Sequence, residues 1–422
     1  MKKILPILLI WPLAVLADPP PPAVATDLSN LTLSMAEQRW QTKNHEIRLA
    51  RDQVDGADAD RLTAAQRPNP QLSLNSTAVN TSGNGSGLGR RLLNDADLVL
   101  RIDQTFERGN KRQLRMQAAD YRLAASRKEM ADTYRQGRIA LYQAYYDLMQ
   151  LQEKLRIAQE NSQLFVQTTR AAEIRLGAGD IPASDLSRIR VDALRAENDV
   201  QAARNGLRQA QAVLAYQIGA ENESSAIGVS DPWPVMASPD TSAPDMEHRA
   251  DIQAAQARVQ AAEAARDLAQ SLKTRDVTLG FQIEHNGSNT PSRSVGFGVS
   301  VPLMTGYEYQ GEIGRAEADL QSARDFLEQT RAQAATELNQ SRSALESAIE
   351  QVRRYDEGLL AAAGKALTSA EFAYQHGAIG VMDLLDARRV YKSTQMDAIT
   401  ARANYAKALA SWRFANEAGG SE

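Results

Sequence analysis

Glu173, Gly179, Ile181, Asp185, Leu186 and Arg190 recur 198 residues later as Glu371, Gly377, Ile379, Asp383, Leu384 and Arg388. Upstream, Gly109 and Ala119 recur as Gly306 and Ala316 at a spacing of 197. One plan of about 200 residues is therefore written twice, and any fold must use it twice. The copies are placed at residues 31–220 and 246–416, with a Pro/Ser-rich linker at 221–245 and a tail at 417–422. Each copy runs in the same order: a helical segment (Met35–Ala65; Met246–Leu272), two extended segments, a very long helix, a short break and another helix.

The long helices are expected over Gly109–Leu176 and Gly306–His376. At 1.5 Å per residue each spans roughly 100 Å, more than a globular domain needs. Leu141, Ala144, Leu148, Leu151, Leu155, Ala158, Ser162 and Phe165 are spaced in alternating steps of three and four. Leu338, Ser341, Leu345, Ala348, Val352, Tyr355, Leu359, Ala362, Ala366, Ser369 and Ala373 do the same. A 3.5-residue repeat predicts side-by-side, supercoiled helices with seams narrow enough for close approach. Periodicity does not distinguish a solvated rod from the wall of a tube.

The extended segments fall in hairpins at 70–106 and 276–304. Leu72 and Leu74 alternate with Ser73 and Asn75, and Leu98, Leu100 and Ile102 with Val99, Arg101 and Asp103. Val277, Leu279, Phe281 and Ile283 alternate with Thr278, Gly280, Gln282 and Glu284. Val295, Phe297, Val299, Val301 and Leu303 alternate with Gly296, Gly298, Ser300 and Pro302. Strands of about ten residues with one apolar face fit a membrane-spanning barrel; a sheet laid on the helices is the soluble alternative. Four strands cannot close a barrel, bilayer-exposed edges are forbidden, and the smallest membrane barrels have about eight strands. Membrane strands here thus demand oligomerisation, which arithmetic allows with two chains or three. The loop carrying Gly83, Gly85, Gly87 and Gly89 lacks the Lys-Ser/Thr of a phosphate loop and reads as a mobile external loop.

Composition removes other classes. With 48 Lys+Arg against 52 Asp+Glu the net charge is −4, so no basic excess points to nucleic acid. Without Cys there is no disulfide, thiol catalysis, Cys-ligated zinc or lipid anchor on cysteine. His45, His248, His285 and His376 have no metal-ligand spacing, and Met116, Met130 and Met149 form no thioether track. No metal site, cofactor or catalytic set emerges, and the expectation is a protein that is not an enzyme. At the start, Lys2 and Lys3 precede apolar Ile4–Leu16, with Val15 and Ala17 before a cleavage point at Asp18. Residues 1–17 read as a secretory signal peptide and 18–30 as a Pro-rich lead-in, which suits the bacterial envelope.

The duplicated order, with tip motifs Arg175-Leu-Gly-Ala-Gly-Asp-Ile-Pro-Ala-Ser-Asp-Leu186 and Tyr374-Gln-His-Gly-Ala-Ile-Gly-Val-Met-Asp-Leu-Leu-Asp-Ala-Arg388, resembles the TolC-type outer-membrane efflux proteins over about Leu31–Phe414. The resemblance implies a mainly α chain with a small β part. Three copies would build a long α-helical coiled-coil barrel in the periplasm, continued by one transmembrane β-barrel with four strands per chain. It selects a homotrimer in outer-membrane lipid. A periplasmic adaptor protein and, through it, an inner-membrane RND-type pump are the implied partners. Phe106-Glu-Arg-Gly-Asn-Lys-Arg112, and Gln310-Gly-Glu-Ile313 with Arg315-Ala-Glu317, resemble the outer-membrane parts of cobalt-zinc-cadmium (CzcC-like) efflux systems, although Asn110 stands where that branch has a second glycine. Heavy-metal cations are the cargo so implied. Multidrug or solvent efflux and type I protein secretion use the same fold, and a soluble periplasmic coiled-coil scaffold is the reading outside channels.

The helices are expected to reverse at tips 177–182 and 377–380. By the resemblance Asp383 and Asp386 line a periplasmic aperture with Asp185 and Tyr374 as partners, although Ile379 stands where TolC has a gating arginine. An acid near a helix N-terminus also has a local use, offsetting the dipole. Gly177, Ala178, Gly179, Ile181, Pro182, Gly377, Ala378 and Ile379 are the expected adaptor-docking tip, their local alternative being turn packing.

Overall fold

The computed structural model describes residues 28–77, 97–236, 246–287 and 292–416. The expected signal peptide, the loop glycines Gly83 to Gly89, part of the linker and the tail lie outside the described residues. The first repeat comprises α1 (Leu33–Lys43), α2 (His45–Ala64), β1 (Gln71–Thr77), β2 (Asp97–Phe106), α3 (Lys111–Gly177) and α4 (Ala183–Ile218). The second comprises α5 (Ala250–Ser271), β3 (Val277–Asn286), β4 (Ser292–Ser300), α6 (Gln310–Arg354), α7 (Leu360–Gln375) and α8 (Val381–Asn416).

The helical segment that opens the first repeat is broken at Asn44. This buried side chain accepts hydrogen bonds from the N–H groups of Glu46 (2.9 Å) and Ile47 (3.1 Å), which caps α2. Its amide donates to the Gln217 carbonyl at 3.0 Å, tying the break to α4. One turn earlier Trp40 is fully buried edge-on to Tyr134, and Gly137 faces it because a Cβ there would lie 2.6 Å from the indole ring. Leu141, Tyr145, Leu148, Leu214 and Ile218 complete this core. Asp231, from the linker, accepts hydrogen bonds from the Leu33 N–H (2.6 Å) and the Tyr145 hydroxyl (2.7 Å).

In α3 the expected seam is observed. Leu141, Ala144, Leu148, Ala158 and Phe165 are buried, and Leu151, Leu155 and Ser162 are half-buried. The second long helix departs from expectation. A π-helical turn, Tyr355–Leu359, separates α6 from α7. Leu338, Leu345, Ala348 and Val352 before it are buried as expected. Leu359, its last residue, and then Ala362, Ala366 and Ser369 are exposed, whereas Ala363 is buried and Leu367, Ala370, Ala373 and Tyr374 are half-buried. The seam has moved by one residue. A π turn holds one residue more than an α turn. The repeats show where that residue came from: they are offset by 197 at Ala316 and by 198 at Glu371. The extra residue of the second copy is absorbed as the π turn.

β1 to β4 form one antiparallel sheet in the order β1-β2-β3-β4, leaving β1 and β4 as edges. Register aligns Leu74, Leu100, Ile283 and Val295 in one row, and Leu72, Ile102, Phe281 and Phe297 in the next. All eight are exposed, Phe297 to 85% and Leu72 to 71%. The other face carries Ser73, Arg101, Gln282 and Gly296, then Gln71, Asp103, Gly280 and Gly298. A short turn carries β2 into α3. There Gly109 and Asn110 are left-handed (φ 71° and 57°), a region asparagine tolerates, so Asn110 serves where a second glycine was expected. Lys111, at the helix start, pairs with Asp276 beside β3 at 2.8 Å. No described helix is long and apolar enough to cross a membrane.

Candidate functional site at the helical tips

Both helical hairpins reverse through the same backbone motif. In the first, Ala178, Gly179 and Asp180 donate N–H bonds to the carbonyls of Ile174, Leu176 and Arg175. In the second, His376, Gly377 and Ala378 donate to Phe372, Tyr374 and Ala373. Gly179 (φ 81°) and Gly377 (φ 72°) take the left-handed position that this ending requires, where a side chain would be strained although space is open. Gly177, Ala178, Gly179, Pro182, Gly377 and Ala378 are exposed. Ile181 and Ile379 are half-buried, and Ile181 packs on a cluster formed by Phe165, Leu186, Ile189, Val381 and Leu385.

The four aperture candidates have different surroundings. Asp383 lies in the first turn of α8 and its carboxylate accepts the Gly380 N–H at 3.2 Å, which caps the helix. Asp185 occupies the matching place in α4, but the residue matching Gly380 is Pro182, which has no N–H to donate. The half-buried carboxylate of Asp185 therefore lacks that local use. Among the described residues no hydrogen bond joins Asp185 to Asp383. Asp386 is exposed and accepts from Arg389 at 2.9 Å, and Arg389 also binds the buried Asp192 of α4. The Tyr374 hydroxyl accepts from the Arg175 guanidinium at 2.5 Å, and that guanidinium lies 5.3 Å from the centre of the Tyr374 ring.

These bonds zip one hairpin to the other. Arg175 with Tyr374 joins α3 to α7, and Arg388 with Thr168 (3.1 Å) joins α3 to α8. Arg389 with Asp192, and Lys392 with Asp199 (2.7 Å), join α4 to α8. Within each hairpin the repeat preserves one ion pair, Arg190–Glu173 at 2.8 Å and Arg388–Glu371 at 3.3 Å. A shallow cavity of about 330 Å³ lies between the hairpins, lined by Thr168, Arg175, Ile181, Tyr374 and Arg388 among others. Sequence reasoning missed Arg175, Asp192, Arg389 and Lys392. Arg175 stood in the quoted tip motif one turn from the glycines; the others carry no periodic signal. With an isoleucine at 379, the arginines of this network come from positions 175, 388 and 389 instead.

Among the described residues no group of three or more His, Asp or Glu is placed to hold a metal. The arrangement can set charge and width at the end of a helical bundle, and it offers exposed glycine turns for a partner to grip.

Residues 246–415 match the model of the family described as outer membrane efflux protein. Over 361 residues the chain is 22% identical to the cobalt-zinc-cadmium resistance protein CzcC of Cupriavidus metallidurans, covering 85% of this chain and 83% of that one. The outer membrane protein VceC from Vibrio cholerae has the same fold at a TM-score of 0.71 and 21% identity, covering 91% of this chain and 95% of that one. The CmeC outer membrane channel of Campylobacter jejuni superposes at a TM-score of 0.77 with 13% identity, covering 92% and 86%.

Proposed function

We propose, for a chain whose second repeat belongs to the outer membrane efflux protein family and whose whole described length has the fold of solved outer-membrane channels, that three copies close into one passive exit duct. The protein is an efflux channel subunit of the outer membrane, with its sheet in the bilayer and its helices in the periplasm. One observation carries the reading of a closed ring of copies: the sheet exposes an apolar face and leaves β1 and β4 unpaired. In lipid each open edge strands a row of N–H and C=O groups, at several kcal/mol apiece. Pairing β4 of one copy with β1 of the next removes that cost only if the ring closes. Three copies supply twelve strands, and the resemblance of the tips and repeats favours three over two.

The duct continues as a tunnel walled by the helical hairpins. Its far end, at Gly177 to Pro182 and Gly377 to Gly380, is the surface offered to a periplasmic adaptor, which links it to an inner-membrane RND-type pump. The duct has no energy source of its own. The cargo is a heavy-metal cation. The similarity to a cobalt-zinc-cadmium resistance protein supports that reading, and the pump would then make the selection. A deletion strain hypersensitive to zinc, cobalt or cadmium is expected. Hypersensitivity confined to dyes and antibiotics would overturn the metal cargo while leaving the channel intact.

The channel itself is tested by crosslinking in mild detergent and by planar-bilayer recording. Trimers that conduct are expected; a lone subunit or a protein that never inserts would sink the proposal. At the aperture, Asp383→Asn with Asp386→Asn removes six carboxylates from a trimer and leaves Arg389 bound to Asp192. A several-fold fall in cation preference is expected, because a carboxylate ring favours cations by its field. An unmoved reversal potential would show that these acids serve only their local contacts, the α8 cap and the Arg389 pair.

A further inference from the structure

The polar face of the sheet holds a device that the tips do not explain. Arg101 on β2 does not project from the wall. Its Nε donates to both oxygens of Asp103, two residues along the same strand, at 3.0 and 2.8 Å. Its Nη1 donates to the Gln282 side chain on β3 at 3.3 Å. The guanidinium thus lies across the sheet rather than away from it. Gly280 and Gly298, paired in register on β3 and β4, make the space. A Cβ at Gly280 would lie 2.6 Å from Arg101 Nη2, and one at Gly298 3.4 Å from the same atom. Glycine inside a strand weakens it and often marks the close approach of another group, here the guanidinium.

Alternation assigns the other charges of this face. Among the described residues, Arg101 is its one cation; Asp97, Asp103 and Glu284 are its anions. Asp97 and Glu284 lie near the hairpin-loop end of the sheet.

We infer that the Arg101–Asp103 clasp, seated in the Gly280–Gly298 notch, is a charge-cancelling station of the barrel lumen. It neutralises the only described cation on the inner wall and keeps it flat, so that Asp97 and Glu284 leave the outer end of the pore favourable to cations. The inference rests on the reading of the polar face as the lumen of a closed barrel. It makes Asp103 a specificity-determining residue through the arginine it masks.

The chain has no cysteine, so a single engineered thiol reports the local potential wherever the narrowest part of the duct lies. Ser300→Cys stands two residues from Gly298 on the same face, about 7 Å away. Trimers carrying it are treated with cationic and anionic methanethiosulfonate reagents, and the two rates are compared. Adding Asp103→Asn is expected to speed the anionic reagent and slow the cationic one, each by about threefold. That is the effect of one unmasked unit charge at roughly 7 Å in water. Adding Arg101→Ala is expected to shift both rates the opposite way. Reaction at an unchanged ratio in both variants would overturn the clasp and leave the barrel standing. A thiol inert to both reagents in membrane-inserted trimers would overturn the lumen assignment and the clasp with it.

Discussion

Deletion of Gly358 is expected to leave the second hairpin folded, whereas deletion of Glu160, its counterpart 198 residues earlier, is expected to abolish assembly. Removing one residue from an α-helix rotates everything beyond it by about 100° relative to what lies before. In α3 that rotation carries Ser162, Phe165 and the seam residues that follow off the packed face. Each large apolar side chain so exposed forfeits about 1.5–3 kcal/mol. In the second repeat the extra residue already sits in the π turn Tyr355–Leu359. Deleting Gly358 turns that π turn into an ordinary α turn and keeps Ala363, Leu367 and Tyr374 on the seam. No atom packs within 4 Å of where a Cβ at Gly358 would be. The neighbouring Asp356–Arg402 pair is surface-exposed and contributes at most about 1 kcal/mol. Crosslinked trimer yield and the thermal midpoint of the helical circular dichroism separate the two variants. Equal damage from both deletions would show that the π turn is not the absorbed residue.

Arg249→Ala is expected to lower stability by about 3 kcal/mol, at the low end of the range for breaking a buried ion pair. Arg249 is 1% exposed just before α5. It donates to both oxygens of Asp251 (3.1 and 2.6 Å), to Glu337 on α6 (2.9 Å) and to the Ala415 carbonyl of α8 (3.2 Å). Asp251 also meets Arg135 of α3 at 3.3 Å, so one partner survives the substitution and the loss stays at the low end. Burial pushes the Asp251 carboxyl up, but its hydrogen bond to Arg249 and the charges of Arg135 and Arg249 outweigh this and hold it below the usual carboxylate range. The sign follows. A folded value below the unfolded one of about 3.9 makes the cluster stabilising above that pH. The contribution is lost as pH falls through the folded value. Wild type should lose stability steeply in acid, and Arg249→Ala should show a shallower acid limb besides its lower midpoint near neutrality. Denaturant titrations across that range check both. An acid limb unchanged by the substitution would mean that Asp251 is not held by Arg249.

Where sequence and structure agree, the reason is local. The α3 seam was legible because a 3.5-residue spacing needs only neighbours along one helix. The four strands were legible because alternation is a property of each segment alone, and the structure places Leu72, Leu100, Phe281 and Phe297 on one face as that alternation requires. The reversals at Gly179 and Gly377 were legible because a left-handed residue at a helix end favours glycine.

The amino-acid order by itself determined a duplicated plan, two helices too long for a globule, and a sheet too narrow to close alone. Only the tertiary structure decided how the second seam proceeds past Val352, because a helix absorbs one surplus residue wherever packing tolerates a wider turn. That choice brought Tyr374 onto the seam, within reach of Arg175. Likewise Arg389 and Arg101 are long side chains that reach across helices or strands, and no spacing along the chain encodes where such a side chain comes to rest.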